Sequence, residues 1–525
     1  MSWPMATSDL LAADGALRPT AQFRAAILKR CRPVSYRSLV EGGDCQHRER
    51  PLVVDIDVPP RLADGPLLED AAVLLCRSPL AAALIRQQDW ARTKRVLVWR
   101  GEVDAAVQHA FVQAFAEGAT VPAPASVLPR IDAAFRPSRI LLMVDRWSSG
   151  GLENLVVDLA LALAAEGCTV TLAAAEDVTP PAAPALAGSP VRTLAFAGDE
   201  TAFADFVRRQ EIEVVNYHHS RFAAAQARRL GAATIYTMHN CYLWMNAAQR
   251  RQLAADLASM DLVTAVSRQV AQFAAAQFGV TPERLVVVPN GLGEEMLSQP
   301  RSRPDCAPGM PFTIAVVASL VGHKLQHVAI AAFEEAARDD PDLRLMLIGA
   351  GFAPDYRTRV ETLIAASPLR ERIELTVGLT RAEAVARLAA AQVFLIPSLL
   401  EGCSMALLEA AAAGCVCVAA DVGNARDLSV PGGSVVLVPS PLGELDDVSD
   451  AAFFAAADAE LPEHRANMAA ALRLVRREYK GLADGATRTR AVLLERHRLE
   501  RMTRSYLEAY TMTRRGGGTG LGRPA

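Results

Sequence analysis

Residues 393–421 read VFLIPSLLEGCSMALLEAAAAGCVCVAAD. The apolar run Val393–Ile396 breaks at Pro397 into a short loop that carries Glu401 and Gly402. Ser404 then opens a helical pattern with Glu409 in its second turn, and Gly414 closes it before a second apolar run, Cys415 to Ala419. Ser at a helix start, Gly at its end and apolar runs of strand length predict strand, loop, helix, strand. A helix N-terminus favours anions, because its first N–H groups lack partners and lie at the positive end of the dipole. Carboxylates beside it would repel a phosphate, so Glu401 and Glu409 suit the hydroxyls of a polyol. The combination points to a ligand that is part phosphate and part sugar.

Working outward, the same rhythm surrounds this stretch. FTIAVVA, LRLMLIG and RIELTV precede it, each followed by a helical pattern. An earlier set begins at RILLMV (139–144) and continues with TVTLAA and with strand candidates at 192–196, 213–217, 233–237, 262–266 and 285–288. Apolar strands alternating with helices predict parallel sheets covered on both faces. The Pro-rich stretch SQPRSRPDCAPGMP (298–311) separates the two sets. The expected fold class is therefore α/β, with two doubly wound Rossmann-like domains. Ligands of such sheets bind beyond the strand C-terminal ends, which places a cleft between the domains.

Length and composition agree. The 525 residues exceed one ordinary domain, and 22% charged with 51% hydrophobic residues describes a globular chain with ample core. The expected division is an N-terminal extension over 1–135, with short apolar runs and helical patterns that suggest a small α/β appendage. A first Rossmann-like domain follows over 136–305, a second over 306–480, a C-terminal helix over 481–512 and a flexible tail over 513–525. The formal charge of −3 gives no global reason to expect nucleic-acid binding. Nine scattered cysteines without a CxxC pair fit a reducing, cytoplasmic setting. The N-terminus lacks a basic region followed by an apolar one, and no apolar stretch reaches the ~18 residues of a membrane span. Residues 486–525 carry nine Arg against three Glu, so peripheral contact with an anionic membrane competes with a solvated helix packed on the body.

Other candidate residues sit at strand ends. Gly150 and Gly151 follow the first strand of the first domain and let backbone N–H groups approach a ligand, although the pair lacks GxGxxG spacing. His239, after ATIYTM, faces the expected cleft and can donate to a substrate oxygen or simply bond a backbone carbonyl. His218 and His219 are neighbours on a strand, so they are expected on opposite faces and make no metal site by themselves. No HExxH or DxD-like cluster has a convincing context, so no catalytic metal is expected. Lys324, in the turn ASLVGHK, points at the cleft and at any phosphate held there. Gly349 and Gly351 read as structural turn glycines.

With these pieces in order, the chain resembles a family 4 glycosyltransferase of the two-Rossmann GT-B type. The resemblance rests on GGLENLVVDLALALAAEGCTVTL, YTMHN, DLVTAVS, VVVPNGL, the Lys324 turn, LRLMLIGAG and above all EGCSMALLE, which matches the family's E-x7-E signature; it covers roughly residues 137–510. The ending LERHRLERMTRSYLEAY is similar to the family's last helix, which crosses back onto the first domain. The resemblance implies a transferase that moves a sugar from a nucleotide diphosphate donor to a glycan or lipid-linked acceptor, as in polysaccharide biosynthesis, with retention of configuration. It implies no metal and no cofactor beyond the nucleotide-diphosphate sugar as substrate. Glu401, with the backbone of Gly402, Cys403 and Ser404, would hold the donor sugar and phosphate. Glu409 would bind the ribose, Lys324 would neutralise the diphosphate, and the 376–380 segment with Gly378 and Leu379 would contact the base. Gly150, Gly151 and His239 would line the first-domain side.

One departure stands out. The family usually has an arginine five residues before the lysine, and this chain has Ser319. Serine offers one weaker donor where arginine would grip phosphate with two parallel hydrogen bonds. His323 and Arg221 are the candidates to replace that cation. The alternative reading is a catalytically degenerate protein of the same fold that binds a nucleotide sugar or glycan. Cys403, where a bulkier residue is common, and Asp427, where glutamate is usual, are smaller departures.

Overall fold

The computed structural model describes residues 32–35, 52–56, 71–76, 95–98, 137–147, 151–176, 186–298, 307, 309–349 and 353–515. Among these residues the strands form three parallel sheets. The N-terminal sheet pairs β1 (Arg32–Ser35), β2 (Leu52–Ile56), β3 (Ala71–Cys76) and β4 (Arg95–Val98) in that order. Three of its strands are the apolar runs read from the sequence, and β1 is an addition.

The next sheet holds β5 (Arg139–Val144), β6 (Thr169–Ala174), β7 (Arg192–Ala195), β8 (Val214–His218), β9 (Ala233–Met238), β10 (Leu262–Ala265) and β11 (Leu285–Val287). Their spatial order is β11-β10-β9-β8-β5-β6-β7. The third sheet holds β12 (Phe312–Val317), β13 (Leu343–Gly349), β14 (Ile373–Val377), β15 (Val393–Ile396), β16 (Val416–Ala420) and β17 (Val435–Val438), ordered β14-β13-β12-β15-β16-β17. Central strands are mostly apolar because helices cover both faces; Ile140 to Met143 and Val393 to Leu395 are fully buried. In each of these two larger sheets the chain runs outward one way, then returns to the middle and runs the other way. That reversal opens a crevice at the strand C-terminal ends, between β5 and β8 in one sheet and between β12 and β15 in the other.

The 393–421 stretch folds as its residues dictate. Helix Met405–Ala413 is capped by Ser404, whose hydroxyl accepts the Leu407 N–H, and it ends at Gly414. Gly414 has φ 91°, a left-handed conformation that glycine adopts without a steric penalty. The strand after it is Val416–Ala420, one residue later than the apolar run alone suggests.

The last helix, Leu499–Arg515, crosses back to the first domain. Met502, Tyr506, Ala509 and Tyr510 pack into the same core as Ile140, Leu142 and Val170. Asn216 Nδ2 donates to the Tyr510 hydroxyl at 2.8 Å, so a buried amide on β8 is satisfied from the far end of the chain. No helix among the described residues is long and apolar enough to cross a membrane. The linker over 298–311 and the tail over 513–525 lie largely outside the described residues.

Candidate active site

The crevice of the second domain brings its two expected charges together. Lys324 follows β12 and Glu401 follows β15, the two strands that flank the reversal, so sequence positions 77 apart meet at one point. Lys324 Nζ donates to Glu401 Oε1 at 2.8 Å, and the Ser398 hydroxyl donates to the same oxygen at 2.8 Å. Both charged side chains are largely buried, with side-chain exposures of 19% and 11%. Little water screens the pair, so the two charges attract each other strongly and hold both side chains in place.

Gly402, next in the chain, touches the first domain. A Cβ at this position would overlap the backbone carbonyl oxygen of His239 and press on Val266. Only a residue without a side chain permits this approach. The neighbouring backbone is tied across the same boundary: Asn290 Nδ2 donates to the Cys403 carbonyl at 3.1 Å, and the Gly423 N–H donates to Gln269. The Ser404 N–H donates to Asn424 Oδ1 at 2.8 Å. The loop from Glu401 to Ser404 is thereby positioned from both domains.

Glu409 lies in helix Met405–Ala413 and is buried. Arg381 Nε donates to its Oε1 at 2.8 Å, while Arg381 Nη1 donates to Asp158 Oδ2 at 3.1 Å. Asp158 belongs to helix Gly151–Ala165 of the first domain, so one guanidinium links carboxylates of both domains. Burial raises the Glu409 and Asp158 carboxyls above their ordinary range, and Arg381 offsets part of that rise. Gly378 and Leu379 form the turn just before Arg381; Gly378 has φ 79°, and Thr380 caps the following helix in a reciprocal box with Glu383.

On the first-domain side His239 stands at the end of β9. Its Nε2 lies 2.8 Å from His218 Nδ1. The expectation that His218 and His219 point to opposite faces is overturned: both rings lie beside His239, with centroids 5.1 and 5.5 Å away. His219 has φ 61°, so the strand's alternation stops at His218 and the next side chain turns back. Burial lowers all three imidazoles, His218 to about 3, His219 to about 4 and His239 well below its ordinary value. They are uncharged at neutral pH. Gly151 begins its helix as expected, and Gly150 lies outside the described residues.

Neither candidate for the cation missing at Ser319 is available near it. His323 is pushed down to about 4, first by burial and then by Lys324, so it carries no charge at neutral pH. Arg221 is engaged by Asp256 at 2.9 Å in the first domain. The Ser319 carbonyl accepts from Gln326 Nε2 at 2.9 Å. Gly349 serves packing, since a Cβ there would come within 2.8 Å of Leu320 in the Lys324 loop. Sequence reasoning missed Arg381, Asp158 and Asn290. Asn290 sits inside the VVVPNGL piece and could have been flagged there, but Arg381 and Asp158 look locally like ordinary helix-surface charges.

Two doubly wound domains with facing strand ends, a lysine–glutamate pair on one and a histidine on the other, define the GT-B class of glycosyltransferase fold. The profile of Glycosyltransferase Family 4 matches residues 149–295, and that of Glycosyl transferases group 1 matches residues 300–471. The chain belongs to the family 4 glycosyltransferases. Among sequence relatives, a phosphatidylinositol N-acetylglucosaminyltransferase subunit from Arabidopsis thaliana is 27% identical over 45% of this chain and 53% of its own length. The MMP alpha-(1->4)-mannosyltransferase of Mycolicibacterium hassiacum is 32% identical over 36% of this chain and 43% of its own. The chain thus spans about half the length of the curated relatives it matches. Among solved structures, Anabaena HepE in complex with UDP superposes with a TM-score of 0.57 at 17% identity, covering 71% of this chain and 99% of that one. Sucrose-phosphate synthase from Thermosynechococcus elongatus gives 0.57 at 15%, covering 72% and 100%. These two likenesses bear on the fold.

Proposed function

We propose that the protein transfers a sugar from a nucleotide diphosphate donor to a glycan or lipid-linked acceptor, with retention of configuration and without a metal. The observation that carries this reading is the buried Lys324–Glu401 pair at the strand reversal of the second domain, facing His239 across the Gly402 contact.

Breaking a sugar–phosphate bond builds negative charge on the departing diphosphate. Lys324 is the cation aimed at that charge, and the N-terminus of helix Met405–Ala413 adds its free N–H groups and dipole. Glu401 accepts hydrogen bonds from sugar hydroxyls, and its bond to Lys324 holds both groups in register. Glu409 serves the ribose hydroxyls, which requires Arg381 to share or release it. The turn at Gly378 and Leu379 flanks the base, and the phosphate-side role expected of Gly150 and Gly151 falls at the start of helix Gly151–Ala165. Attack from the face that the phosphate leaves, with that phosphate taking the acceptor proton, accounts for retention. Relatives named for N-acetylglucosamine and for mannose support the donor class and leave the sugar of this chain open. The basic end of the chain supports peripheral contact with an anionic membrane, where a lipid-linked acceptor would lie.

The test is to incubate the purified protein with UDP-glucose, UDP-N-acetylglucosamine and GDP-mannose and to follow release of nucleoside diphosphate. At least one donor is expected to be cleaved, and Glu401→Ala to lower the rate about a hundredfold. Binding of a donor without turnover by the wild-type protein would favour the degenerate alternative.

A further inference from the structure

The first-domain wall contains a histidine that the functional reading does not use. His218 ends β8 and is fully buried. In the parallel pairing of β8 with β9 it stands opposite Thr237, and His239 lies two residues further along β9, on the same face. That register sets His218 Nδ1 against His239 Nε2 at 2.8 Å, a hydrogen-bond distance. Two uncharged imidazoles can place only one proton between these nitrogens, so the tautomers of the two rings are locked together.

The surroundings decide which way. His218 Nε2 is buried without a hydrogen-bond partner. If His239 donated from Nε2, His218 would have to carry its own proton on Nε2, stranding an N–H donor in the interior. If His218 donates from Nδ1, only a lone pair is stranded. Orphaned buried N–H groups are the rarer and costlier case. The second arrangement therefore prevails, and His239 then bears its proton on Nδ1. His239 is only partly buried, and Nδ1 is the ring nitrogen left to meet a ligand.

We infer that His218 is a positioning residue that fixes His239 as the Nδ1–H tautomer, so that His239 presents a hydrogen-bond donor to an oxygen of the sugar. The tautomer follows from the pairing together with the unpartnered His218 Nε2, and its use on a sugar rests on the transferase reading. Without His218 the His239 ring is free to present a bare nitrogen instead, which repels the lone pairs of the same oxygen. The packing around the pair restricts rotation away from this geometry: His219 stacks on His239, and the Tyr506 ring lies 6.4 Å from His218.

The test combines histidine-selective 15N NMR of the full chain with donor hydrolysis. The wild-type spectrum is expected to show His239 protonated at Nδ1 and bare at Nε2. His218→Phe is expected to lower kcat/KM for the cleaved donor about tenfold and to give a mixture of His239 tautomers. His218→Asn should recover most of the rate, because its amide can donate to Nε2 from the same place. A wild-type His239 protonated at Nε2, or equal losses in the Asn and Phe variants, would overturn the inference. Should the Phe variant not fold, the wild-type spectrum and the Asn variant decide it. A protein that cleaves none of UDP-glucose, UDP-N-acetylglucosamine and GDP-mannose would sink the transferase reading, while the tautomer is still read from the spectrum.

Discussion

On the second-domain side of the cleft, Lys324 meets Glu401 and Arg381 meets Glu409, each at 2.8 Å. On the first-domain side, three histidines stack and bond to each other and carry no charge at neutral pH. Both sets sit at strand C-terminal ends and both are largely buried, yet one is ionic and the other neutral. The difference follows from what each can pair with. The loops after β12 and β15 bring opposite charges together at the reversal, so desolvating them is offset by their mutual attraction. The loops after β8 and β9 bring only imidazoles together, and a buried imidazole without a carboxylate gives up its proton. A wall of fixed charge suits a leaving diphosphate. A wall of neutral donors suits hydroxyls, whose recognition needs direction more than charge.

Acid should break this contrast first, and with the largest effect. The folded-state pKa values of His218 and His219, about 3 and about 4, lie below the ordinary 6.5. The unfolded chain therefore binds more protons, and stability present above pH ~6.5 is lost as the pH falls toward those folded values. Each contributes up to about 1.4 kcal/mol per pH unit in that window, so the pair accounts for roughly 3 kcal/mol between pH 6.5 and 5. Urea unfolding at the two pH values measures it, and replacing both by Asn should reduce the slope, leaving the part that belongs to His239 and His323. A midpoint insensitive to pH would show that these rings are charged or exposed.

Prising the two walls apart is the next largest test. Gly402→Ala puts a methyl group into the His239 carbonyl, so the domains must separate by more than an ångström or the loop must move. Misplacing reacting groups by this much costs about a hundredfold in rate. Donor hydrolysis should fall by that factor with the thermal midpoint nearly unchanged. Unaltered hydrolysis would mean that the contact at Gly402 is not part of the working geometry.

Arg381→Ala separates the ionic wall from its bridge to the first domain. The variant leaves the half-buried Asp158 and the buried Glu409 without their cation, which destabilises the fold by about 2 kcal/mol. Chemical denaturation of the variant measures it. A loss within about 0.5 kcal/mol, the effect of an ordinary surface change, would mean that the bridge is water-screened.

The smallest expected effect belongs to Ser319→Arg. If the phosphate site lacks one cation, the substitution should tighten binding of a nucleoside diphosphate by roughly tenfold, as one charge-assisted hydrogen bond would. Calorimetric titration with UDP and GDP measures it. Unchanged or weaker affinity would mean that another group already fills the role.

Much of this arrangement is legible in the chain itself. The strand–loop–helix–strand of 393–421 follows from Pro397, Ser404 and Gly414, whose backbone preferences act locally, and the elements fall within a residue of that reading. The meeting of Lys324 with Glu401 is foreseeable because both loops follow strands that flank the reversal. Arg381 and Asp158 are not foreseeable. Each sits on a helix where any charge is tolerated, and only the approach of two domains gives them their partners. The histidine stack is hidden for a related reason: strand periodicity describes His218 but fails at His219, where one left-handed residue turns the side chain back.

The proposed grip of the second-domain wall on a diphosphate rests on Lys324. Its most direct test is the affinity of UDP and GDP relative to uridine and guanosine, for the wild type and for Lys324→Ala. The wild type is expected to prefer one diphosphate over its nucleoside by about a hundredfold, and the variant to lose most of that preference while still binding the nucleoside. A wild type that binds nucleoside and diphosphate equally, or a variant that keeps the full preference, would contradict it.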